Sequence, residues 1–95
     1  MILSIIIPVY NEEKTIIAIL EKIKQNASSS FKYEIIVIDD GSIDQSRKLL
    51  EKNKHLFNKL LINESNKGKG FSVKKGLLNA SGSHIIFQDA DLEYD

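Results

Sequence analysis

Four short runs dominated by β-branched and other large apolar residues, at positions 3–7, 34–39, 59–63 and 84–88, recur along the chain. Each is separated from the next by a segment long enough for a helix and carrying helical spacing. Continuous apolar runs of strand length suit strands buried on both faces, and intervening helices are the usual way to return the chain to a parallel neighbour. The pattern therefore predicts an α/β domain of order βαβαβαβ around a mainly parallel sheet.

The helical segments sharpen this expectation. Over 12–26, Ile16, Leu20 and Ile23, with Ile17 alongside, form an apolar stripe; Asn11 is placed to cap it, and Glu12 and Glu13 suit the positive end of its dipole. Over 43–54, Ser42 followed by Gln45 three residues later reads as a capping box, and Gly41 fits the tight turn out of the strand. Over 70–80, Val73, Leu77 and Ala80 are expected to be buried, with Ser81-Gly82 as the stop. Gly76 inside that helix costs about 1 kcal/mol relative to Ala, which predicts a close approach of helix backbone to sheet.

At 95 residues and 42% hydrophobic content the chain makes one domain. Lys plus Arg and Asp plus Glu are both 13, so no global field draws it to nucleic acid or anionic lipid. Cysteine is absent, which excludes disulfides and thiolate metal sites and suits the cytoplasm. His55 and His84 are too few and too far apart for zinc. The apolar start lacks a basic leader and a cleavage site, and no apolar run is long enough to span a bilayer.

In an open parallel sheet, ligands bind beyond the carboxyl ends of the strands. Each run here delivers polar residues at that end: Pro8 to Glu12, Asp39 to Ser42, Asn63 to Gly70, and Asp89 to Asp91. Asp89, Asp91 and Glu93 alternate, which in extended backbone puts their carboxylates on one side. They fit either a hard-oxygen site for magnesium or manganese or a solvated acidic segment. Asp39 and Asp40 can accept from the N–H edge of a base or simply stabilise the strand-to-helix corner. Tyr10 offers a stacking face or is a half-buried aromatic at a strand exit. Lys67, Gly68, Lys69 and Gly70 at a helix start suit a phosphate, or form a charged glycine turn. No Ser-His-Asp or Cys-His arrangement can be assembled.

Taken in order, SIIIPVYNE, IIVIDDGSIDQS, NKGKGFSVKKGLLNASG and IIFQDADLEYD resemble the N-terminal half of a family-2 glycosyltransferase of the GT-A fold, most of all its dolichyl-phosphate (polyprenyl-phosphate) mannosyl- or glucosyltransferase branch. The resemblance implies a Rossmann-like three-layer α/β/α nucleotide-diphospho-sugar transferase domain, with residues 1–95 as its nucleotide-sugar-binding part. It also implies a nucleotide-sugar donor, a polyprenyl-phosphate or other acceptor, and a divalent metal. By motif, Pro8, Tyr10 and Glu12 line the nucleoside pocket, Asp40 hydrogen-bonds the base with Asp39 beside it, and Lys69 lies near the base or phosphates. Asp89-Ala90-Asp91 is the D-x-D motif next to the diphosphate, with Asp91 the direct metal ligand and Asp89 assisting. Glu93 stands where this branch often has a metal-binding Gln, and joins the expected metal set.

The resemblance places acceptor-binding elements, any catalytic base and any membrane segments beyond residue 95. The 95 residues are accordingly expected to be a fragment that binds nucleotide weakly and does not turn over, from a protein at the cytoplasmic face of a membrane. A sheet without its second half leaves an edge uncovered, which predicts a dimer or higher oligomer. Three other classes compete. A receiver-like signalling domain wants its acid pair after the first strand, a haloacid-dehalogenase-type phosphatase wants its D-x-D there, and a nucleotide-binding remnant folds without catalysing.

Overall fold

The computed structural model describes residues 1–27 and 32–91. Strands β1 (Ile2–Val9), β2 (Lys32–Asp40), β3 (Lys59–Asn63) and β4 (His84–Phe87) alternate with helices α1 (Ile16–Gln25), α2 (Ser46–Lys52) and α3 (Lys69–Leu78), and a 3₁₀ turn covers Lys54–Leu56. The expected βαβαβαβ order is present. All pairings are parallel in the order β3-β2-β1-β4, with Val9 opposite Asp39, Asp40 opposite Asn63 and Ile6 opposite Phe87.

The chain steps from β1 to β2 to β3 in one direction and then crosses back to the far side of β1. Because crossovers are right-handed, a reversal of direction moves the connecting helix to the other face. The core divides accordingly. Ile5, Ile7, Val9, Ile35 and Val37 pack with Ile16 and Leu20 of α1 and Leu50 of α2, while Ile6, Ile36 and Ile38 form a second cluster on the α3 face. Both faces of β1 and β2 are thus covered, which is why their sequences are apolar without alternation. No helix among the described residues is long and apolar enough to cross a membrane.

The starts of two helices and their expected caps are corrected. Helix α1 starts at Ile16 rather than 12, and α2 at Ser46 rather than 43. Asn11 does not cap α1 and Ser42 does not form a capping box, because both are used across the gap between the loops after β1 and β2. Asn11 adopts the left-handed conformation at φ 53, open to a short amide side chain, and its Oδ1 accepts from the amides of Ile43 (2.9 Å) and Asp44 (3.3 Å). In return Asn11 N donates to Ser42 Oγ (2.9 Å), Glu12 N to Ser46 Oγ (2.9 Å), and Gln45 N to Glu13 Oε1 (2.8 Å).

The fully buried residues of helix α3 are Ser72 and Gly76; of the expected stripe, Val73 is half-buried, Ala80 packs partly buried against the Ile6 cluster, and Leu77 is 42% exposed. The small residues let the helix backbone settle on the sheet: a Cβ on Gly76 would stand 2.7 Å from Ile6 Cγ2 and 2.9 Å from Ile38 Cδ1. Strand β4, by contrast, is exposed along its length, since it pairs only with β1 and no described helix lies over it.

Candidate functional site

The order of strands reverses between β1 and β4, and the site opens above their carboxyl ends. A cleft of about 300 Å³ lies there, lined by Pro8, Val9, Tyr10 and Glu12 after β1, by Asp40 at the end of β2, by Asn66, Gly68 and Lys69 ahead of α3, and by Asp89, Ala90 and Asp91 after β4. A larger cavity of about 350 Å³ sits elsewhere, between α1 and the β1–β4 pair. Its walls are mainly apolar, among them Leu3, Ile5, Ile19, Ile23 and Ile86, and no acidic residue lines it. Size favours the second cavity; the convergence of polar groups favours the first as the functional site.

The paired acids of β2 separate onto opposite faces, as strand geometry requires. Asp39 shares the side of Ile35 and Val37. It is fully buried, its Oδ2 accepts from Ser42 N (3.2 Å) and meets Arg47 Nε at 3.5 Å, and its Oδ1 has no hydrogen-bond partner among the described residues. It does not line the cleft. Asp40 does, and its carboxylate organises the wall: Oδ1 accepts from Asn63 Nδ2 (2.9 Å) and Lys67 N (2.7 Å), and Oδ2 from Gly68 N (2.9 Å). Asn63 Nδ2 also donates to buried Ser72 Oγ (3.0 Å), tying the loop to α3. The amides of Lys67 and Gly68, expected to greet a phosphate, are turned onto Asp40 instead. Gly41 makes this approach possible, for at φ 70 it passes so close to the Ser65–Asn66 backbone that a Cβ would collide with it.

Across the cleft, Lys69 Nζ donates to Asp89 Oδ1 at 2.8 Å, and both side chains stand about two-thirds exposed. This hydrogen bond, together with the charges of Asp89 and Asp91, raises the lysine pKa above its ordinary value against a small desolvation. The ammonium therefore stays charged at every physiological pH. Tyr10 is 42% exposed, leaving its ring available for stacking. Ala90 is buried, and its carbonyl accepts from Thr15 Oγ1 (2.7 Å). Glu93 lies outside the described residues.

Asp89 and Asp91 put hard oxygen donors on the cleft wall. No group of three His, Cys, Asp or Glu side chains able to hold a metal ion occurs among the described residues. Two carboxylates without a protein cage suit an ion such as magnesium or manganese, which keeps positions open for water and phosphate. Of the residues expected from the sequence, Pro8, Tyr10, Glu12, Asp40, Lys69, Asp89, Ala90 and Asp91 are brought together and Asp39 is not. Asn66 was expected only as part of the 63–70 segment, and Thr15, which does not line the cleft but bonds the Ala90 carbonyl behind it, was not singled out. Both are brought to these places by loop packing.

Comparison with known proteins agrees with this geometry. The chain is 38% identical over 99 residues to the dolichyl-phosphate beta-glucosyltransferase of Dictyostelium discoideum, covering 94% of this chain and 30% of that protein. It thus spans under a third of the length of that relative. Among solved structures, residues 1–349 of S. aureus TarS in complex with UDP-GlcNAc superpose with a TM-score of 0.80 at 33% identity, covering 96% of this chain and 27% of the other. The mannosyltransferase PcManGT from Pyrobaculum calidifontis, in complex with GDP-Man and Mn2+, gives a TM-score of 0.78 at 28% identity over 94% of this chain and 27% of its own. These likenesses confirm the GT-A architecture. The profile named Glycosyl transferase family 2 matches residues 4–95, nearly the full length, and the chain therefore belongs to glycosyl transferase family 2.

Proposed function

We propose that the chain carries the donor-binding part of an inverting hexosyltransferase. The donor is a nucleotide-sugar such as GDP-mannose or UDP-glucose, and the acceptor a polyprenyl or dolichyl phosphate at the cytoplasmic face of a membrane. The observation that carries this reading is the cleft itself, where the PVYNE, DDGS, NKGKG and D-x-D segments meet at the switch point of the sheet. The relatives' names and the nucleotide-sugars bound by the two structural neighbours support the donor and acceptor classes.

In this reading Tyr10 stacks on the base and Pro8 and Glu12 border the nucleoside. Asp40 accepts from the base N–H with lone pairs left after it has fixed the 63–68 loop. Asp39 acts behind Asp40, holding the Ser42 turn rather than the ligand. Lys69 brings a positive charge to the diphosphate side. Asp89 and Asp91, joined by Glu93, would hold a divalent cation, which when bound neutralises charge on the departing diphosphate as a Lewis acid. An acceptor phosphate oxygen attacks the anomeric carbon from the face opposite the diphosphate. The new C–O bond forms as the old one breaks, and the bonding electrons leave with the nucleoside diphosphate. A lipid phosphate is already anionic, so the attack needs no side-chain base.

Donor binding without transfer is what we assign to these 95 residues by themselves, because they correspond to under a third of the dolichyl-phosphate relative's length. Calorimetric titration of UDP and GDP, with manganese and with chelator, tests the reading. Metal-dependent binding that Asp91→Ala abolishes is expected, and metal-independent binding unaffected by that substitution would overturn the D-x-D assignment. Sugar transfer by the purified chain would overturn the division of labour.

A further inference from the structure

Thr15 precedes the first residue of α1, where a threonine hydroxyl ordinarily accepts from the helix's own first-turn amides. It makes no such bond. Its Oγ1 donates instead to the carbonyl of Ala90, 75 residues away, at 2.7 Å. The hydroxyl has a single proton, and this contact uses it.

We infer that Thr15 is a positioning residue for the D-x-D carboxylates, fixing the peptide plane that carries Asp91; the inference rests on the metal-binding role proposed above. The Ala90 carbonyl belongs to the rigid planar unit that also contains the nitrogen and Cα of Asp91. Holding that oxygen sets the direction in which Asp91 leaves the backbone. The other side of Ala90 is fixed as well, since its side chain is 5% exposed and packs into the cluster that contains Val9 and Ile16. Upstream, Gln88 N donates to Ile6 O (3.0 Å), so the segment leaving β4 is clamped before Asp89 and after Ala90.

Thr15 is itself anchored. Its amide and that of Ile16 donate to Glu12 O (3.1 and 2.9 Å), and Glu12 N donates to Ser46 Oγ, so the hydroxyl stands on a support made by the loops after β1 and β2. Asp91 is thereby referred to the same loops that shape the rest of the cleft. Groups that orient metal ligands from behind typically change metal affinity by about 10- to 100-fold when removed.

The test is manganese titration of the 95-residue chain, followed by loss of the free-ion EPR signal, together with thermal midpoints. Thr15→Val is expected to weaken manganese binding by about tenfold, the low end of that range because it acts through the backbone. Thr15→Ser, which keeps the hydroxyl, should restore affinity to within about threefold of the parent. Should Thr15→Val not fold, Thr15→Ala removes the same hydroxyl with less to repack and carries the same expectation. A lowered midpoint with unchanged manganese affinity would reduce Thr15 to a structural residue and overturn the inference. Loss of affinity in Thr15→Ser equal to that in Thr15→Val would overturn it too. Asp91→Ala separates the two levels: if it binds manganese as well as the parent chain, the metal reading itself fails and takes this inference with it.

Discussion

Asp40 shows how one side chain can fix a loop and line a cleft at once. Three donors converge on its carboxylate, from Asn63, Lys67 and Gly68. Asp40→Ala takes an acceptor from all three; Gly68 N keeps Asn66 Oδ1 (3.1 Å) and Asn63 Nδ2 keeps Ser72 Oγ (3.0 Å), which leaves Lys67 N and one Asn63 amide proton to be satisfied, and a stranded buried donor costs about 1–3 kcal/mol. The expected result is a loss of about 2–4 kcal/mol in denaturant unfolding, together with loss of nucleotide binding in calorimetry. Asp39→Asn, outside the cleft, should leave nucleotide affinity within about threefold, a change of under 1 kcal/mol. That the acids before Gly-Ser and the alternating Asp89 and Asp91 stand at the carboxyl ends of their strands was legible in the sequence, and Asp40, Asp89 and Asp91 do line one cleft. Which acid of the pair faces the cleft was implied, as Asp40, by the family resemblance and not by the residue pattern itself. The pattern leaves it open because it depends on strand phase relative to α3, and the Thr15–Ala90 contact and the placing of Asn66 arise only after loops distant in sequence have met.

Elements were legible where the signal was apolar and less so where it was polar. Every strand was visible as a β-branched run, whereas the helix starts were displaced because Asn11, Ser42 and Glu13 satisfy a neighbouring loop instead of their own helix. Helix α3 docks through Ser72 and Gly76: the close approach expected at Gly76 is present, whereas the stripe expected from its larger residues is only partly buried. Gly76→Ala should therefore destabilise by about 1–2 kcal/mol despite the better helix propensity of Ala, read as a lower thermal midpoint. At the opposite end of the sheet, Glu34 ties three elements together. Its Oε2 accepts from Ser4 Oγ (2.5 Å), Ser81 N (2.6 Å) and Ser81 Oγ (2.9 Å), and Lys59 Nζ lies 3.7 Å from Oε1. Burial by itself would raise this carboxyl's pKa, but those hydrogen bonds and the lysine charge outweigh it and hold the value below the ordinary one. A depressed folded-state pKa stabilises above the unfolded value and ceases to do so as pH falls through the folded one. Thermal midpoints should accordingly decline below about pH 5, and Glu34→Gln should flatten that decline while lowering the midpoint at neutral pH.

At the scale of the molecule, β4 is an edge strand with Ile86 46% and Phe87 55% exposed. Such an edge favours association. Sedimentation of the isolated chain should show concentration-dependent self-association, reduced at least severalfold by Phe87→Lys; a compact monomer at high concentration would rule this out. The strand order also dictates a timetable. Ile2 and Ser83 exchange hydrogen bonds across 81 positions of sequence, so β1 gains β4 as its second neighbour only by a pairing far more distant in sequence than its pairing with β2. Loop-closure entropy must be met before that pairing is rewarded, which makes completion of the sheet a late and non-local event in folding. The wall of the cleft that carries Asp89 and Asp91 is thus the last of the described walls to be assembled, and the loops after β1 and β2 can be held together before the segment after β4 closes over them.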